Sequence, residues 1–458
     1  MRTALAFYLS AAHKSSGKTT IGLGLGRALT RRGLEVQPFK KGPDYIDPIW
    51  HSRACHKPCY NLDFHMMQCD EIDHLYARHA AQSAVVLVEG NKGLYDGMDV
   101  AGSDSNAALA KRLGLPVVLV IDASGITRGV APLVLGYKAF DHEVKIAGVI
   151  LNKVAGPRHE QKLRAVLDRY TQVPVLGAVP RDAALFIAER HLGLIPGNEH
   201  AEADARIDAI ANVVARHVDL DALLQLTVKA VSEAVEPLPF RPRLDLTIGI
   251  ARDRAFGFYY QEDIDNLRAA GVRLVEIDCL HDARLPPLDG LILGGGFPES
   301  FLRELSANVA LREGIRTAIA AGLPVYAECG GLMYLTRGIV WQDVDAAMVG
   351  AIPGVARMSE RPVGRGYALL RGNGASPLAP AGMEIPAHEF HYSALTGLPD
   401  DWSAAYAVVR GHGIAAQRDG FVVGNLLASY CHRRGSGDRG WIAPFLAQVA
   451  AYKERKEN

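Results

Sequence analysis

The feature that most constrains the fold is the stretch SAAHKSSGKTT at residues 10–20, which follows an apolar run and precedes a helical one. A loop of this kind turns backbone N–H groups toward phosphate, while a lysine and a hydroxyl reach the terminal phosphates and Mg²⁺. Ala12 stands where the usual G-x-x-x-x-G-K-[ST] pattern has its first glycine. Because a strand and a helix flank the loop correctly, we expect a phosphate-binding loop rather than a chance G-K-T.

Residues of this loop, together with one asparagine, are the candidate nucleotide ligands. Asn152 ends the apolar run GVILNKV and could contact the edge of an adenine. The expected ATP-binding residues are Ser16, Gly17, Lys18, Thr19, Thr20 and Asn152.

Composition excludes several classes of protein. The chain has 458 residues, enough for two or three domains, and 49% of them are hydrophobic. Its 50 basic and 50 acidic residues cancel, so no global positive field favours nucleic acid or an anionic membrane. No apolar run approaches the roughly 20 residues of a membrane span. Six scattered cysteines indicate neither a disulfide framework nor a zinc site. We expect a cytoplasmic protein, and a homodimer stays open.

Apolar runs alternate with helical stretches along the whole chain, which predicts α/β domains built on mostly parallel sheets. The runs TALAFYLS, LEVQPF, AVVLVEG, PVVLVID and KIAGVILNKV are candidate buried strands, and the pattern breaks at the proline-rich EPLPFRPRLD. A second series then begins with LTIGIA, VRLVEID, GLILGGG and LPVYAECGG. The predicted organisation is a P-loop domain at 1–236, a linker at 237–245 and a second α/β domain at 246–458.

Acidic and basic side chains follow the strands next to the phosphate loop, in FKKGPDYIDP and VEGNKGLYDG. Ligands bind at the carboxyl ends of strands in open α/β sheets, so these residues are candidates for the chemistry of an ATP site. They are Lys40, Asp44, Tyr45, Asp47, Glu89 and Asp96. Within them, Asp44 and Glu89 are expected to hold Mg²⁺ together with Thr19.

The second domain contains a candidate nucleophile in GLPVYAECGGLMYL, which reads as strand, sharp turn and helix with Cys329 on the turn. Such an elbow exposes its nucleophile, and the helix N-terminus favours the thiolate. The glycines of LILGGGFPES could hold an oxyanion through their backbone N–H groups; they are Gly294, Gly295 and Gly296. A base is also needed, and His388, His391 and His432 are the candidates.

These motifs together resemble the cobyrinate a,c-diamide synthase family. The resemblance covers nearly the whole chain and rests on GKTT, FKKGPDYIDP, NLD, EGNKGLYDG, DRAFGFYY, LGGGFPES, AECGGLMYL and HEFHYS. It implies a dethiobiotin-synthetase-like ATPase domain joined to a class I glutamine amidotransferase domain. It also implies amidation of two acetate side chains of an anionic tetrapyrrole, with ATP, Mg²⁺ and glutamine-derived ammonia.

The resemblance implies roles for single residues and also has departures. Cys329 matches the glutaminase nucleophile and His432 its histidine, while Asp44, Glu89 and Asp96 match ligase-site acids. Arg434 stands where many amidotransferases carry a glutamate, so the third triad member stays unassigned.

Two lysines bear on the identity of the substrate. Lys14 and Lys41 make the ATP site more basic than expected for cobyrinate enzymes. In this respect the chain is similar to a branch linked to sulfur oxidation, whose proposed substrate is sirohaem, and sirohaem is therefore slightly favoured over cobyrinate or hydrogenobyrinate. The basic residues expected to meet the polyanion are Lys40, Lys41, Lys92, Arg361 and Arg365.

Two other classes of protein stay open. The first domain could be a partition-type ATPase switch with a non-catalytic second domain, although the elbow cysteine is intact. A redox protein would need a resolving cysteine, for which Cys431 is the candidate.

Overall fold

The computed structural model describes residues 4–187, 202–230 and 244–457, with three short segments at 189–190, 193–194 and 196–197. The chain divides into two compact units, Met1–Pro237 and Leu238–Asn458. Residues 237–243 of the predicted linker lie outside the described residues. Within the described part of the chain, no helix is long and apolar enough to cross a membrane.

The first unit alternates strands and helices as the apolar pattern predicts. Its strands are β1 (Ala4–Ala11), β2 (Val36–Lys41), β3 (Tyr60–Leu62), β4 (Val85–Glu89), β5 (Val117–Asp122), β6 (Ile146–Val154), β7 (Val175–Pro180), β8 (Glu189–Arg190), β9 (Gly193–Leu194) and β10 (Val228–Ala230). Its helices are α1 (Lys18–Arg31), α2 (Ile46–Cys55), α3 (Cys69–Ala80), α4 (Asn106–Arg112), α5 (Val130–Phe140), α6 (Pro157–Thr171), α7 (Ala203–His217) and α8 (Leu220–Leu226).

The main sheet of this unit has the order β3-β2-β4-β1-β5-β6-β7, and all these strands run parallel. β10 pairs antiparallel with β1, so that Ala4 lies opposite Ala230. β1 lies in the middle of the sheet, between β4 and β5, and the phosphate loop follows it. This is the carboxyl edge at which parallel sheets bind their ligands.

Helix α1 packs closely on its neighbours because three glycines line it. A Cβ at Gly24 would lie 2.4 Å from Val214 of α7, and one at Gly26 would lie 2.7 Å from the Cys55 sulfur of α2. A Cβ at Gly22 would lie 2.6 Å from Glu89. The glycines of GLGLG therefore permit helix packing, and they are not part of a dinucleotide fingerprint.

The second unit begins as a parallel α/β series and continues as a run of antiparallel strands. Its strands are β11 (Thr247–Ala251), β12 (Phe256–Phe258), β13 (Arg273–Ile277), β14 (Gly290–Leu293), β15 (Gly295–Gly296), β16 (Val325–Glu328), β17 (Thr336–Trp341), β18 (Val344–Ala347), β19 (Ile352–Met358), β20 (Gly364–Gly372), β21 (Glu384–His391), β22 (Ser393–Thr396), β23 (Ala404–Arg410), β24 (Arg418–Val423), β25 (Leu426–Ser429) and β26 (His432–Arg433). Its helices are α9 (Gln261–Ala269), α10 (Leu302–Ala307), α11 (Val309–Ala320), α12 (Gly330–Leu335) and α13 (Ile442–Glu457).

The central sheet of this unit has ten strands in the order β13-β11-β14-β16-β25-β24-β23-β20-β21-β26. The strands from β13 to β25 run parallel, and the pairings from β25 to β26 are antiparallel. A separate four-stranded sheet has the order β18-β17-β19-β22. The central position of β16 and β25 brings the carboxyl end of β16 next to the segment that leads into β26.

Candidate active sites

The phosphate loop is a tight turn between β1 and α1. Ser15 and Gly17 have positive φ angles of 67° and 86°, and the Ser16 hydroxyl donates to the carbonyl of His13 at 2.8 Å. Thr20 lies in the first turn of α1, whose N-terminus starts at Lys18. The loop therefore presents a helix N-terminus and its N–H groups to an anion.

Asn152 supports this loop from the end of β6. Its side-chain amide donates to the carbonyl of Ser16 at 2.9 Å, and its Oδ1 is buried without a hydrogen-bond partner among the described residues. A Cβ at Gly17 would lie 2.1 Å from the Asn152 amide nitrogen, which explains the glycine. One amide N–H is thus committed to the loop, and the unpaired Oδ1 is available for the adenine contact expected from the sequence.

Charged side chains from four elements converge behind the loop, with Glu89 at their centre. Glu89 is fully buried and accepts hydrogen bonds from the Thr19 hydroxyl at 2.9 Å, Lys40 Nζ at 2.7 Å and Lys18 Nζ at 3.3 Å. Asp47 lies 2.5 Å from Lys40 Nζ and 3.2 Å from the Thr19 hydroxyl. The structure thus brings together five residues predicted from the sequence.

The network fixes the charges of its members. Burial opposes the ionised form of Glu89, but Lys40, Lys18 and His51 outweigh it and hold the pKa of this carboxyl well below its usual range. Burial likewise opposes the charge on Lys40, but Asp47 and Glu89 hold its pKa well above the ordinary value. Burial and the neighbouring Lys40 lower the pKa of Lys18. The positive charge of Lys40 is therefore balanced by carboxylates within the protein.

His51 also belongs to this network, although the sequence analysis did not predict it. Its Nε2 lies 2.7 Å from Glu89 Oε2, both side chains are fully buried, and Nδ1 has no partner among the described residues. His51 follows Asp47 by four residues on α2, so both point from the same face of the helix. That spacing is the signal that could have indicated it.

Three other predicted ligase-site residues lie around this network. Asp44 Oδ1 accepts from the backbone N–H groups of Ile46 at 2.9 Å and Asp47 at 3.0 Å, so this carboxylate caps α2. Burial and the nearby Asp47 raise the pKa of Asp44 to about 6, against the effect of Lys40. Tyr45 is buried at the start of α2. Asp96 is exposed and accepts from the N–H of Gly93 at 2.9 Å.

The oxygen atoms of the network suit a hard cation. Among the described residues, no group of three or more His, Cys, Asp or Glu side chains is arranged to hold a metal ion. Mg²⁺, however, takes one or two carboxylates and completes its shell with water and phosphate oxygens. The Thr19 hydroxyl beside the Glu89 and Asp47 carboxylates fits that requirement, whereas the cap engages one oxygen of Asp44.

In the second unit, Cys329 occupies a strained elbow between β16 and α12. Its φ and ψ angles are 46° and −101°, a conformation that costs a residue with a side chain about 1–3 kcal/mol. A Cβ at Gly331 would lie 2.1 Å from the carbonyl oxygen of Leu293, so the elbow packs backbone against backbone. The structure therefore has the sharp turn between strand and helix, with Cys329 on the turn, that the sequence pattern predicts.

His432 is the histidine that the structure places on Cys329. The ring hydrogen-bonds the thiol, and its Nδ1 lies 3.1 Å from Glu328 Oε2. Burial disfavours the imidazolium, but the hydrogen bonds with Cys329 and Glu328 outweigh it and raise the pKa of His432 to about 10. Glu328 is thus the third residue of the constellation, the position that the sequence left unassigned.

Glu328 is held by further donors. Its Oε1 accepts from the Tyr326 hydroxyl at 2.6 Å and from the backbone N–H of Arg433 at 2.9 Å. Arg434, at the position where a glutamate was expected, instead forms a two-pronged ion pair with Glu262 at 2.8 and 2.9 Å. The carboxylate that orients His432 therefore comes from the strand before the elbow.

The candidate oxyanion glycines lie against this constellation but are not equivalent. The N–H of Gly294 donates to the Tyr259 hydroxyl at 2.9 Å, so it is already engaged. A Cβ at Gly295 would lie 2.6 Å from His432, and one at Gly330 would lie 3.0 Å from the Gly296 nitrogen. The geometry thus favours Gly295 and Gly296 over Gly294.

The other two histidines belong to the surroundings of this site. His388 stacks on His432 with ring centroids 4.9 Å apart, and its Nδ1 lies 3.3 Å from the Tyr260 hydroxyl. His391 stacks on Tyr430 at 3.9 Å.

Cys431, the candidate resolving cysteine, is fully buried with its sulfur 3.9 Å from Glu389 and is not disulfide-bonded.

Comparisons with known proteins match both units. Residues 11–195 match the CobQ/CobB/MinD/ParA nucleotide binding domain, and residues 247–438 match the CobB/CobQ-like glutamine amidotransferase domain. Three relatives are named cobyrinate a,c-diamide synthase. The protein from Magnetococcus marinus is 45% identical over 98% of this chain and 97% of its own length. The proteins from Methanosarcina acetivorans and Archaeoglobus fulgidus are 41% and 40% identical over 96% and 95% of this chain, and over 94% and 96% of their own lengths. The chain therefore belongs to the cobyrinate a,c-diamide synthase family.

Proposed function

We propose that this protein is an ATP- and glutamine-dependent ligase that converts two acetate carboxylates of an anionic tetrapyrrole into amides. The observation that carries the proposal is the presence of two complete constellations in one chain. One is the Lys18–Thr19–Glu89 network behind a phosphate loop, and the other is the Cys329–His432–Glu328 constellation at an elbow.

In the first unit, the residues act on ATP. Lys18 and the N–H groups of the loop neutralise the phosphates, and Thr19, Glu89 and Asp47 would hold Mg²⁺, with the second oxygen of Asp44 as a further candidate. The metal would supply charge neutralisation at the phosphate oxygens. The substrate carboxylate takes the γ-phosphoryl group of ATP, giving an acyl phosphate and ADP.

In the second unit, the residues release ammonia. The Cys329 thiolate attacks the side-chain amide carbon of glutamine, and backbone N–H groups of Gly295 and Gly296 stabilise the oxyanion. His432 donates a proton to the departing ammonia, and Glu328 keeps the ring oriented. Water then cleaves the thioester to glutamate. Ammonia attacks the acyl phosphate, and phosphate leaves as the amide forms.

The substrate is an anionic tetrapyrrole, and two candidates remain. The names of the relatives favour cobyrinate. The basic residues Lys14 and Lys41 slightly favour sirohaem. A cytoplasmic location and small-molecule partners, without nucleic acid or membrane, complete the proposal, and a homodimer stays open.

The deciding experiment incubates the protein with ATP, Mg²⁺, glutamine and either macrocycle and measures the product by mass spectrometry. Each amidation replaces a hydroxyl group by an amine and lowers the mass by about 1 Da, so we expect a loss of about 2 Da. Conversion of cobyrinate with sirohaem untouched would overturn the slight preference for sirohaem but not the reaction. ATP hydrolysis that depends on a protein partner, with neither macrocycle converted, would favour the partition-type switch.

A further inference from the structure

The last residue of β2, Lys41, is a buried cation that the ATP network does not use. It is only 4% exposed and makes no hydrogen bond or ion pair with any residue that the structure describes. Its neighbour Lys40 is equally buried but has Asp47 and Glu89 as partners. A buried cation without a partner is costly to the folded state, which indicates that a ligand completes the site.

The position of Lys41 separates it from the nucleotide. Successive side chains of a strand point to opposite faces of the sheet, so Lys41 leaves β2 on the face opposite to Lys40 and its network. Burial lowers the pKa of Lys41, and the carboxylates of Asp63 and Asp104 oppose this only in part. Lys41 therefore lies at the carboxyl edge of the sheet, next to the ATP site and outside it.

A second unsatisfied group lies beside it. The side chain of Asn91 packs over Gly42, where a Cβ would lie 3.0 Å from the Asn91 amide nitrogen. The Asn91 Oδ1 is buried without a hydrogen-bond partner among the described residues. Gly42 directly follows Lys41, so an unpaired cation and an unpaired amide oxygen share one end of the sheet. The amide oxygen can only accept a hydrogen bond, so Lys41 is the group of the two that can hold an anion.

We propose that Lys41 binds a carboxylate of the tetrapyrrole and is a specificity-determining residue of the ligase. This rests on the proposed function and adds a contact to it. A polyanionic macrocycle presents several carboxylates besides the one that reacts, and a desolvated lysine holds one of them while ATP occupies the opposite face of β2. A phosphate of ATP could also supply an anionic oxygen to Lys41, so the test measures ATP binding as well.

The test uses the full-length variants Lys41→Met and Lys41→Arg, with Lys111→Met as the matched control. Lys111 is a lysine of α4 that pairs with Asp141 and Glu143 at the surface. Dissociation constants are measured for cobyrinate, for sirohaem and for a fluorescent ATP analogue. We expect Lys41→Met to weaken binding of the accepted macrocycle at least about 10-fold, Lys41→Arg by about 3-fold or less, and ATP binding to change less than about 2-fold.

Thermal unfolding separates a ligand contact from a structural one. Removing an unpaired buried cation should leave the Tm of Lys41→Met at or above that of the wild type, so binding falls without loss of stability. Unchanged macrocycle affinity, a larger effect on the ATP analogue, or a lowered Tm that accounts for the loss would each overturn this inference. A wild type that binds neither macrocycle overturns the proposed function as well, which distinguishes the two failures.

Discussion

At the scale of single residues, Glu328 shows what sequence reasoning can miss. Cys329 and His432 are predictable as nucleophile and base, and the structure brings them together. Glu328 precedes the cysteine directly, and adjacent residues of a strand normally point to opposite faces of the sheet. The positive φ of Cys329 breaks that alternation, and only the pairing of β16 with β25 brings His432 to Glu328. No local pattern contains that information.

We expect Glu328→Gln to lower the pKa of His432 toward its ordinary value, because the substitution removes a negative partner of the imidazolium. Glutaminase kcat should fall by on the order of 10²-fold or more. The pH dependence of Cys329 alkylation, compared between variant and wild type, checks this. An alkylation profile identical to that of the wild type would show that another group orients His432.

The same pKa predicts how stability changes with pH. The folded-state pKa of His432 is about 10, above the unfolded value of roughly 6.5. Its contribution to the free energy of unfolding is therefore complete below about pH 6.5 and is lost as the pH rises through about 10. Denaturant titrations measure this contribution. The free energies of unfolding of the wild type and Glu328→Gln should differ more near pH 6.5 than near pH 10.

At the scale of elements, the strands of the parallel sheets could be predicted and those of the antiparallel run could not. Continuous apolar runs such as AVVLVEG are typical of strands buried on both faces, and they coincide with β1, β4, β5 and β6. β20, β23 and β24 instead mix buried and exposed residues and carry charges, which makes them hard to distinguish from loops in sequence. Their pairing depends on long-range register.

Helix α1 leads to a prediction about glycine. Alanine normally stabilises a helix interior by up to about 1 kcal/mol relative to glycine. At Gly24 we expect the opposite, a loss of about 1–3 kcal/mol, because the new methyl group would overlap Val214. Gly136 of α5 is the matched control, since a Cβ at this position would have no other atom within 4 Å, and Gly136→Ala should stabilise. Chemical denaturation measures both, and equal effects would contradict the packing role of the α1 glycines.

At the scale of the whole molecule, two units with separate chemistry predict separable activities. We expect Cys329→Ala to abolish the use of glutamine and to retain amidation with ammonium salt at raised pH, where more ammonia is unprotonated. The readouts are glutamate release and the mass of the macrocycle. A folded variant that loses both activities would contradict the existence of two independent sites.

The antiparallel pairing of β10 with β1 has a consequence for how such a chain can be rearranged. Ala4 faces Ala230, so the described part of the first unit leaves its sheet beside the point at which it entered. A fold with adjoining ends tolerates circular permutation and exchange of whatever follows it. The second unit follows the last strand of this sheet, so replacing it should leave the strand order of the first unit unchanged. Hybrids joined after residue 230 should therefore preserve the phosphate loop.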